Sequence, residues 1–195
     1  MLSLKNSLAI LRKTNALLEG HFVLSSGRHS GQYIQCAQLL SKPKLSKKIC
    51  FSLSKKIKSR FKKIDLILAP AMGGIIIGYE IGRLLNIETI FCERVKNKFQ
   101  LRRGFKISKN ANVLIVEDVI TTGKSSLECL NIIKKSKAKL LGFACLIDRS
   151  EKKTLKIKTK IISQLKINIK TYTRNKIPNN LKKIPILKPG SRFTK

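Results

Sequence analysis

The stretch VLIVEDVITTGKSS, residues 113–126, decides the fold of this chain. Val113 to Val116 form an unbroken apolar and mostly β-branched run, which is typical of a strand buried on both faces of a parallel sheet. Glu117 and Asp118 then end that run. Because a buried strand does not carry two acids inward without partners, we expect both at its carboxyl end, in the crevice where open α/β sheets bind ligands.

The residues after the two acids predict an anion site. Residues 121–125 are mostly small and hydroxylic, and they lead into a helical pattern of Leu127, Leu130 and Ile133. A helix therefore begins here, and its first N–H groups have no partner within the helix. Because Gly123 lets a ligand approach the backbone and the hydroxyls add donors, this loop predicts a phosphate cradle.

Two other readings of this loop are open. Gly123, Lys124 and Ser125 resemble the end of a Walker A loop, but that motif needs glycine where this chain has Asp118, and a carboxylate there would repel a triphosphate. A plain strand-to-helix turn with acids capping the helix is the second alternative. Adjacent acids beside a phosphate cradle suit a sugar phosphate better, since carboxylates accept hydrogen bonds from ribose 2′- and 3′-hydroxyls.

Length and composition place the chain among compact proteins of one domain. It has 195 residues, of which 43% are hydrophobic, enough to bury a core. Its five cysteines are scattered without C-x-x-C spacing, which suggests neither a disulfide framework nor a zinc site and favours the cytoplasm. No apolar run reaches the length of a membrane span, and residues 1–20 do not read as a secretory signal.

The formal net charge of +32 would attract nucleic acid or an anionic membrane. The lysines are spread along the whole chain among isoleucines and asparagines, and no aromatic platform or recognised nucleic-acid module accompanies them. We therefore interpret the charge as compositional bias and expect no specific nucleic-acid partner and no membrane partner.

Periodicity along the chain predicts alternating strands and helices from residue 65 to 148, hence a parallel sheet with helices on both faces. The expected strands are 65–69, 88–92, 113–116 and 140–147, with helices from Pro43, over 75–85, and after 124. An N-terminal helix over 3–18 and a hairpin of strands 21–24 and 32–35 come before them. Further strands are expected over 161–165 and 167–172, and coil over 178–195. Residues 93–104 break every period, which favours a functional loop, with a solvated hairpin as the alternative.

The apolar strand, two acids and Thr/Gly-rich loop resemble the phosphoribosyl-pyrophosphate motif of the type I phosphoribosyltransferases. Within that group the chain is similar to the orotate phosphoribosyltransferases over most of its length. The segments that carry this resemblance are residues 20–27, 70–74, 101–105, 148–150 and 188–192. It implies a type I phosphoribosyltransferase fold over residues 1–195, in which residues 1–40 and the C-terminal segment form a hood over a 60–150 core.

The resemblance also implies an activity: transfer of a phosphoribosyl group from phosphoribosyl pyrophosphate (PRPP) to orotate, with Mg²⁺ held mainly through substrate. Glu117 and Asp118 would hold the ribose hydroxyls, and the 5′-phosphate would lie on Val119, Ile120, Thr121, Thr122, Gly123, Lys124 and Ser125. Thr121 and Arg149 would contact orotate, a role that suits Arg149 because a guanidinium matches a carboxylate bidentately.

Arg94 and Lys98, by the same resemblance, would close over pyrophosphate from the neighbouring subunit of a homodimer, with Lys98 and Asp118 as the catalytic residues. Cations placed against the departing charge, together with exclusion of water, would supply the catalysis. One branch of the family carries basic residues where this chain has Ser25, Gly73, Val95 and Gln100. Arg28, Arg102 and Arg103 are candidates to replace them.

Two further functions are compatible with the same fold. One is transfer to another base, either a purine or uracil, and the other is an RNA-binding regulator, which the basic composition would suit. Arg149 and the N-terminal hairpin favour orotate over other bases. The set of Arg94, Lys98, Glu117, Asp118 and Arg149 favours an enzyme over a regulator.

Overall fold

The computed structural model describes residues 1–24, 26–151, 155–159 and 161–189. Its strands are β1 (Leu17–Val23), β2 (His29–Ile34), β3 (Leu66–Pro70), β4 (Thr89–Val95), β5 (Lys98–Gln100), β6 (Asn112–Ile120), β7 (Lys139–Asp148), β8 (Ile161–Lys166), β9 (Thr171–Tyr172) and β10 (Ile186–Leu187). Its helices are α1 (Leu4–Lys13), α2 (Cys36–Leu40), α3 (Pro43–Arg60), α4 (Gly73–Leu85), α5 (Lys124–Lys135) and α6 (Asn179–Lys182). A short 3₁₀ turn spans Arg174–Lys176.

The central sheet has the strand order β5-β4-β3-β6-β7-β8. All pairs are parallel except β4 with β5, so the predicted parallel α/β sheet is confirmed with one antiparallel strand at its edge. The middle strand is β6, which lies between β3 and β7. This position explains why Val113 to Val116 are fully buried, since helices cover both faces of the sheet.

Alternate residues of β6 enter two hydrophobic clusters. Leu114 and Val116 pack with residues of α3 and α4 on one face, while Val113 and Ile115 pack with Cys129 and other residues of α5 on the opposite face. The period of two therefore sends neighbouring side chains to different helices. The five cysteines all lie buried and free within this packing.

A second, four-stranded sheet is formed in the order β10-β1-β2-β9, and we call it the hood. The predicted N-terminal hairpin is its centre, with β1 and β2 antiparallel. Arg28 ties the hairpin to β9 by donating from Nε to Thr171 Oγ1 at 2.8 Å and from a second nitrogen to the Thr171 carbonyl at 2.9 Å. The assignment of residues 1–40 and the C-terminal segment to one hood within a single domain stays a prediction.

The predicted N-terminal helix over 3–18 is too long. The helix α1 begins after Ser3, whose side chain accepts a hydrogen bond from the Asn6 N–H, and it ends at Lys13. Asn15 has a left-handed backbone with φ of 54°, which a continuing helix does not allow. Residues from Leu17 onward therefore join the hood strand β1, which begins four residues before the expected start of the first hairpin strand.

Two other parts of the chain are more regular than expected. Within residues 93–104 the structure has the alternative arrangement, a short hairpin in which Val95 pairs with Lys98 and Arg94 with Phe99. Between 178 and 189 the expected coil contains α6 and β10, because β10 pairs with β1 and completes the hood. Of the segment 188–192, positions 190–192 lie outside the described residues, as does Ser25.

In the part of the chain that the structure describes, no helix has the length and hydropathy needed to cross a membrane.

Candidate active site

The two acids lie within β6, not after it. The strand continues to Ile120, so the expected end at Val116 was wrong by four residues. The pairing with β7 runs on through Ile120 and Asp148, which holds this part of the backbone extended. The acids nevertheless lie in the last four residues of the strand, at the carboxyl edge where we predicted a ligand site.

Glu117 faces α5. Its side chain is 7% exposed, and Ser126 Oγ donates a hydrogen bond to Glu117 Oε1 at 2.6 Å. Burial raises the pKa of Glu117 to about 7, the hydrogen bond from Ser126 opposes that shift, and the charge of Asp118 adds to it. The sequence did not single out Ser126 as a site residue, because serine is common in the first turn of a helix, where it caps backbone N–H groups.

Asp118 belongs to the opposite face of β6, the face that packs against α4. The Val119 N–H donates to Asp118 Oδ1 at 2.8 Å, and the carboxylate lies directly beside Gly73, the first residue of α4. Burial raises the pKa of Asp118, while the hydrogen bond from the Val119 N–H opposes the rise. The two neighbouring acids thus leave the backbone in different directions.

The surroundings of Gly73 give a reason for one difference between this chain and the family that it resembles. A Cβ at this position would lie 2.7 Å from Asp118 Oδ2, closer than real side chains approach. The lysine that one branch of the family has here would therefore require the Asp118 carboxylate to move. Of the candidates to replace the missing cations, Arg103 pairs with Glu93 at 2.8 Å, and Arg28 is bound to Thr171 in the hood.

The loop after β6 has the form expected of a phosphate cradle. Thr121, Thr122 and Lys124 are exposed, and Gly123 precedes α5 with a left-handed backbone, φ 72°. A Cβ on Gly123 would lie 2.7 Å from the Ile157 side chain, so glycine is required by both its conformation and its surroundings. The helix α5 begins at this loop, as in helical anion sites, and its first N–H, on Lys124, donates to Thr122 Oγ1 at 3.4 Å.

Arg149 is brought to this loop by the sheet. Its N–H donates to the Ile120 carbonyl at 2.8 Å, which places the residue after β7 beside the residue after β6. Burial lowers the pKa of the Arg149 guanidinium, and its Nε is buried without a hydrogen-bond partner in the described part of the chain. A buried guanidinium edge without a partner is suited to bind an anion.

Tyr33 of β2 and Cys36 of α2 lie near these residues. Cys36, just after β2, points its Sγ at the Asp118 carbonyl, 4.0 Å away. The ring of the half-buried Tyr33 lies at a tilt against the ring of Phe22, with 5.7 Å between the ring centres. Burial raises the pKa of the Tyr33 hydroxyl, the charge of Arg149 opposes this rise, and the charge of Asp118 adds to it. The sequence carried no signal for Tyr33, because its place near the site comes from packing of the hood.

Arg94 and Lys98 lie on the β4–β5 hairpin, not on the carboxyl edge of β6. Arg94 forms an ion pair with Glu128 of α5 at 2.7 Å and lies 4.2 Å from the centre of the Phe99 ring. Lys98 is exposed. Within one chain the β4–β5 hairpin therefore contacts α5 through the ion pair of Arg94 with Glu128, and Lys98 is exposed to solvent.

The comparisons with known proteins agree with this geometry. The family described as "Phosphoribosyl transferase domain" matches residues 35–175, which contain the acids, the cradle and Arg149. The chain therefore belongs to the phosphoribosyltransferases. Orotate phosphoribosyltransferases of Erythrobacter litoralis and Parvibaculum lavamentivorans are 42% and 46% identical to it, over 95% and 92% of this chain and 96% and 93% of theirs. Within the phosphoribosyltransferases, the chain is a member of the orotate phosphoribosyltransferase family.

Solved structures show the same fold. Orotate phosphoribosyltransferase from Aeropyrum pernix superposes with a TM-score of 0.70 at 22% identity, covering 82% of this chain and 92% of that one. The corresponding enzyme from Francisella tularensis gives a TM-score of 0.56 at 26% identity, covering 73% and 70%. The type I phosphoribosyltransferase fold is therefore confirmed.

Proposed function

We propose that this chain transfers the phosphoribosyl group of PRPP to N1 of orotate, giving orotidine 5′-phosphate and pyrophosphate for pyrimidine nucleotide synthesis in the cytoplasm. One observation carries the proposal. The acidic pair, the phosphate cradle and the buried, unpartnered Arg149 edge meet at the carboxyl ends of β6 and β7, which the Arg149 N–H joins at Ile120. An acceptor for hydroxyls, a site for phosphate and a cation for a carboxylate match the groups of the two substrates.

The sugar phosphate would occupy β6 and the start of α5. Glu117 and Asp118 accept hydrogen bonds from the ribose hydroxyls, and residues 119–125 take the 5′-phosphate on backbone N–H groups and hydroxyls. These groups are held by the sheet and the helix, so the sugar is positioned before reaction with little reorganisation.

Orotate would lie between the β7 end and the hood. Its carboxylate is the natural partner for Arg149, because it can accept a hydrogen bond from the buried Nε, which has no partner among the described residues. Thr121, exposed next to Ile120, is the expected second contact. A base without a carboxylate would leave the buried Nε of Arg149 without a partner, and this favours orotate over uracil or a purine.

Mg²⁺ fits the site as an ion carried by the substrate. No group of three or more His, Cys, Asp or Glu side chains among the described residues could hold a metal, and the ion would be held mainly by oxygens of PRPP. Mg²⁺ prefers six oxygen ligands and keeps several waters, so PRPP oxygens complete its shell. When bound, it supplies positive charge against the departing pyrophosphate.

A homodimer would complete the site. Met72, the residue just before α4, and Ile76 and Tyr79 within it are 81%, 53% and 64% exposed and follow one another at helical spacing. Such an apolar row fits a second copy of this chain. In that arrangement Lys98 of one chain, exposed on its hairpin, would act at the pyrophosphate site of the other, with Arg94 beside it.

The test is loss of orotate absorbance with purified protein, PRPP and Mg²⁺, with uracil and adenine as competing bases in parallel. We expect turnover of orotate alone. The variant Asp118→Asn should fold normally and turn over roughly ten- to a hundredfold more slowly, because a hydrogen bond to a charged group contributes about 1.5–3 kcal/mol. Equal use of uracil, or undiminished turnover by Asp118→Asn, would contradict the proposal.

A further inference from the structure

Ser126 is fully buried in the first turn of α5, and its hydroxyl is committed to a carboxylate. Its Oγ donates to Glu117 Oε1 at 2.6 Å, which is the short distance typical of an O–H bonded to an ionised acid. The bond joins residues nine positions apart, across the interface between β6 and α5. It is therefore a tertiary contact and not a helix cap.

The contact fixes a side chain that would otherwise have several positions. Glu117 has three rotatable bonds, one more than an aspartate at the same place, and ordering them on binding a ligand costs free energy. Ser126 holds Oε1 toward α5. Since a carboxylate has about four acceptor sites, the held group keeps the capacity to accept a ribose hydroxyl.

The contact also joins the two halves of the sugar site. Ser126 belongs to the same helical turn as Lys124 and Ser125, two residues expected to hold the 5′-phosphate. Glu117 is on the strand that presents the expected acceptors for the 2′- and 3′-hydroxyls. This hydrogen bond thus connects the strand that carries the hydroxyl acceptors to the helix that begins at the phosphate cradle.

We infer that Ser126 is a positioning residue for phosphoribosyl transfer, which holds the Glu117 carboxylate ready for the ribose hydroxyls of PRPP. The inference rests on the proposed function. The charge of Glu117 agrees with it: burial raises the pKa of Glu117 to about 7, and the same Ser126 hydrogen bond opposes that rise. Without the hydroxyl, less of Glu117 is ionised at neutral pH, and a protonated carboxyl is the poorer acceptor.

Removing the hydroxyl should act on PRPP and on the pH profile. In Ser126→Ala we expect the acid limb of kcat/KM for PRPP to move about one pH unit upward. The KM for PRPP should rise roughly threefold to tenfold at pH 7 and less at pH 8.5, with the KM for orotate unchanged. Ser126→Thr keeps a hydroxyl and should restore the profile, whereas Ser126→Cys keeps the size but donates weakly and should resemble Ser126→Ala.

Two controls separate positioning from packing. Ser54 is another buried helical serine, but its hydroxyl bonds only to the Phe51 carbonyl within α3, so Ser54→Ala should leave both KM values and the pH profile unchanged. In the background Glu117→Gln, adding Ser126→Ala should have no further effect on PRPP. Additive effects, equal changes for both substrates, or an unshifted acid limb in Ser126→Ala would overturn the inference.

A readout without turnover distinguishes failure of this inference from failure of the proposed function. The ionisation of Glu117 can be followed by carboxyl ¹³C NMR in the free protein, with Glu117→Gln identifying the signal. We expect the Glu117 pKa to rise in Ser126→Ala and Ser126→Cys and to return in Ser126→Thr. An unchanged Glu117 pKa would overturn the inference even in an active enzyme, whereas an inactive wild type with the expected rise would refute only the orotate reaction.

Discussion

Gly73 and Asp118 lie so close that a methyl group does not fit between them. A Cβ on Gly73 would be 2.7–2.8 Å from three atoms of the Asp118 carboxylate, although the two residues are 45 positions apart and on different elements. The loop before α4 and the end of β6 therefore form one surface. The absence of a side chain on one element determines where the acid of the other can lie.

Gly73→Ala tests this relationship. The added methyl should displace the Asp118 carboxylate and raise the KM for PRPP, with kcat/KM falling about tenfold or more, equivalent to roughly 1.4 kcal/mol. Steady-state kinetics with each substrate varied in turn is the measurement. Gly31→Ala is the matched control, because its Cβ would lie 3.9 Å from Leu181, an ordinary contact. Unchanged kinetics for PRPP in Gly73→Ala would show that the carboxylate is not needed where it lies.

Arg149→Ala should raise the KM for orotate far more than the KM for PRPP. The physical reason is that removal of a cation paired with a carboxylate leaves that carboxylate unpaired in a dry site, which costs about 1.5–3 kcal/mol or roughly ten- to a hundredfold. Arg149→Lys should recover only part of this loss, because an ammonium does not reproduce the planar fork. Equal effects on both substrates would indicate a structural role, which thermal unfolding of the two variants would then reveal.

Glu117 should make the protein less stable as pH rises. Its pKa is raised from the ordinary value of 4.5 to about 7, so the folded state holds the proton more tightly than the unfolded state. Ionisation of Glu117 therefore lowers the free energy of unfolding. This loss is absent below the pKa of Glu117 in the unfolded chain, grows as pH rises toward the pKa in the folded protein, and is complete above pH 7. The full difference corresponds to about 3 kcal/mol.

Glu117→Gln has no such loss, so its advantage in free energy of unfolding over the wild type should grow between pH 4 and pH 8 by up to about 3 kcal/mol. Urea unfolding at several pH values measures this. The same substitution at the exposed Glu88 is the control, and it should give a much smaller dependence on pH. The stabilised Glu117→Gln protein should also bind PRPP more weakly, as expected when a buried acid serves a ligand. A constant difference across this range would contradict the raised pKa.

Co-expression of Lys98→Ala with Asp118→Asn tests whether the sites are shared. Random pairing makes about half of the dimers mixed, and each mixed dimer would have one wild-type site and one doubly changed site. Roughly a quarter of wild-type activity should therefore return, measured on the purified mixture. If Lys98 acts within its own chain, every site keeps one lesion, and the mixture is no more active than either variant alone.

The sequence by itself determined the α/β class and the place of the site. A four-residue apolar run followed by two acids and a small hydroxylic loop has local causes, since strand burial, helix initiation and anion binding all depend on neighbouring residues. The central strand, the acidic pair and the helix from Lys124 were therefore predicted with the correct order. The end of β6 was not, because its last four residues stay extended through pairing with β7.

Only the tertiary structure decided the contacts between distant segments. The end of the first helix at Lys13, the regular elements after residue 178 and the position of Tyr33 near the site all depend on contacts between distant segments, and β10 forms because β1 offers an edge. The hydrogen bond of Ser126 to Glu117 and the ion pair of Arg94 with Glu128 likewise join elements whose contact cannot be read from the periodicity of the sequence. Local pattern specifies which side chains reach a strand end, whereas long-range packing specifies which of them are held, buried and charged there.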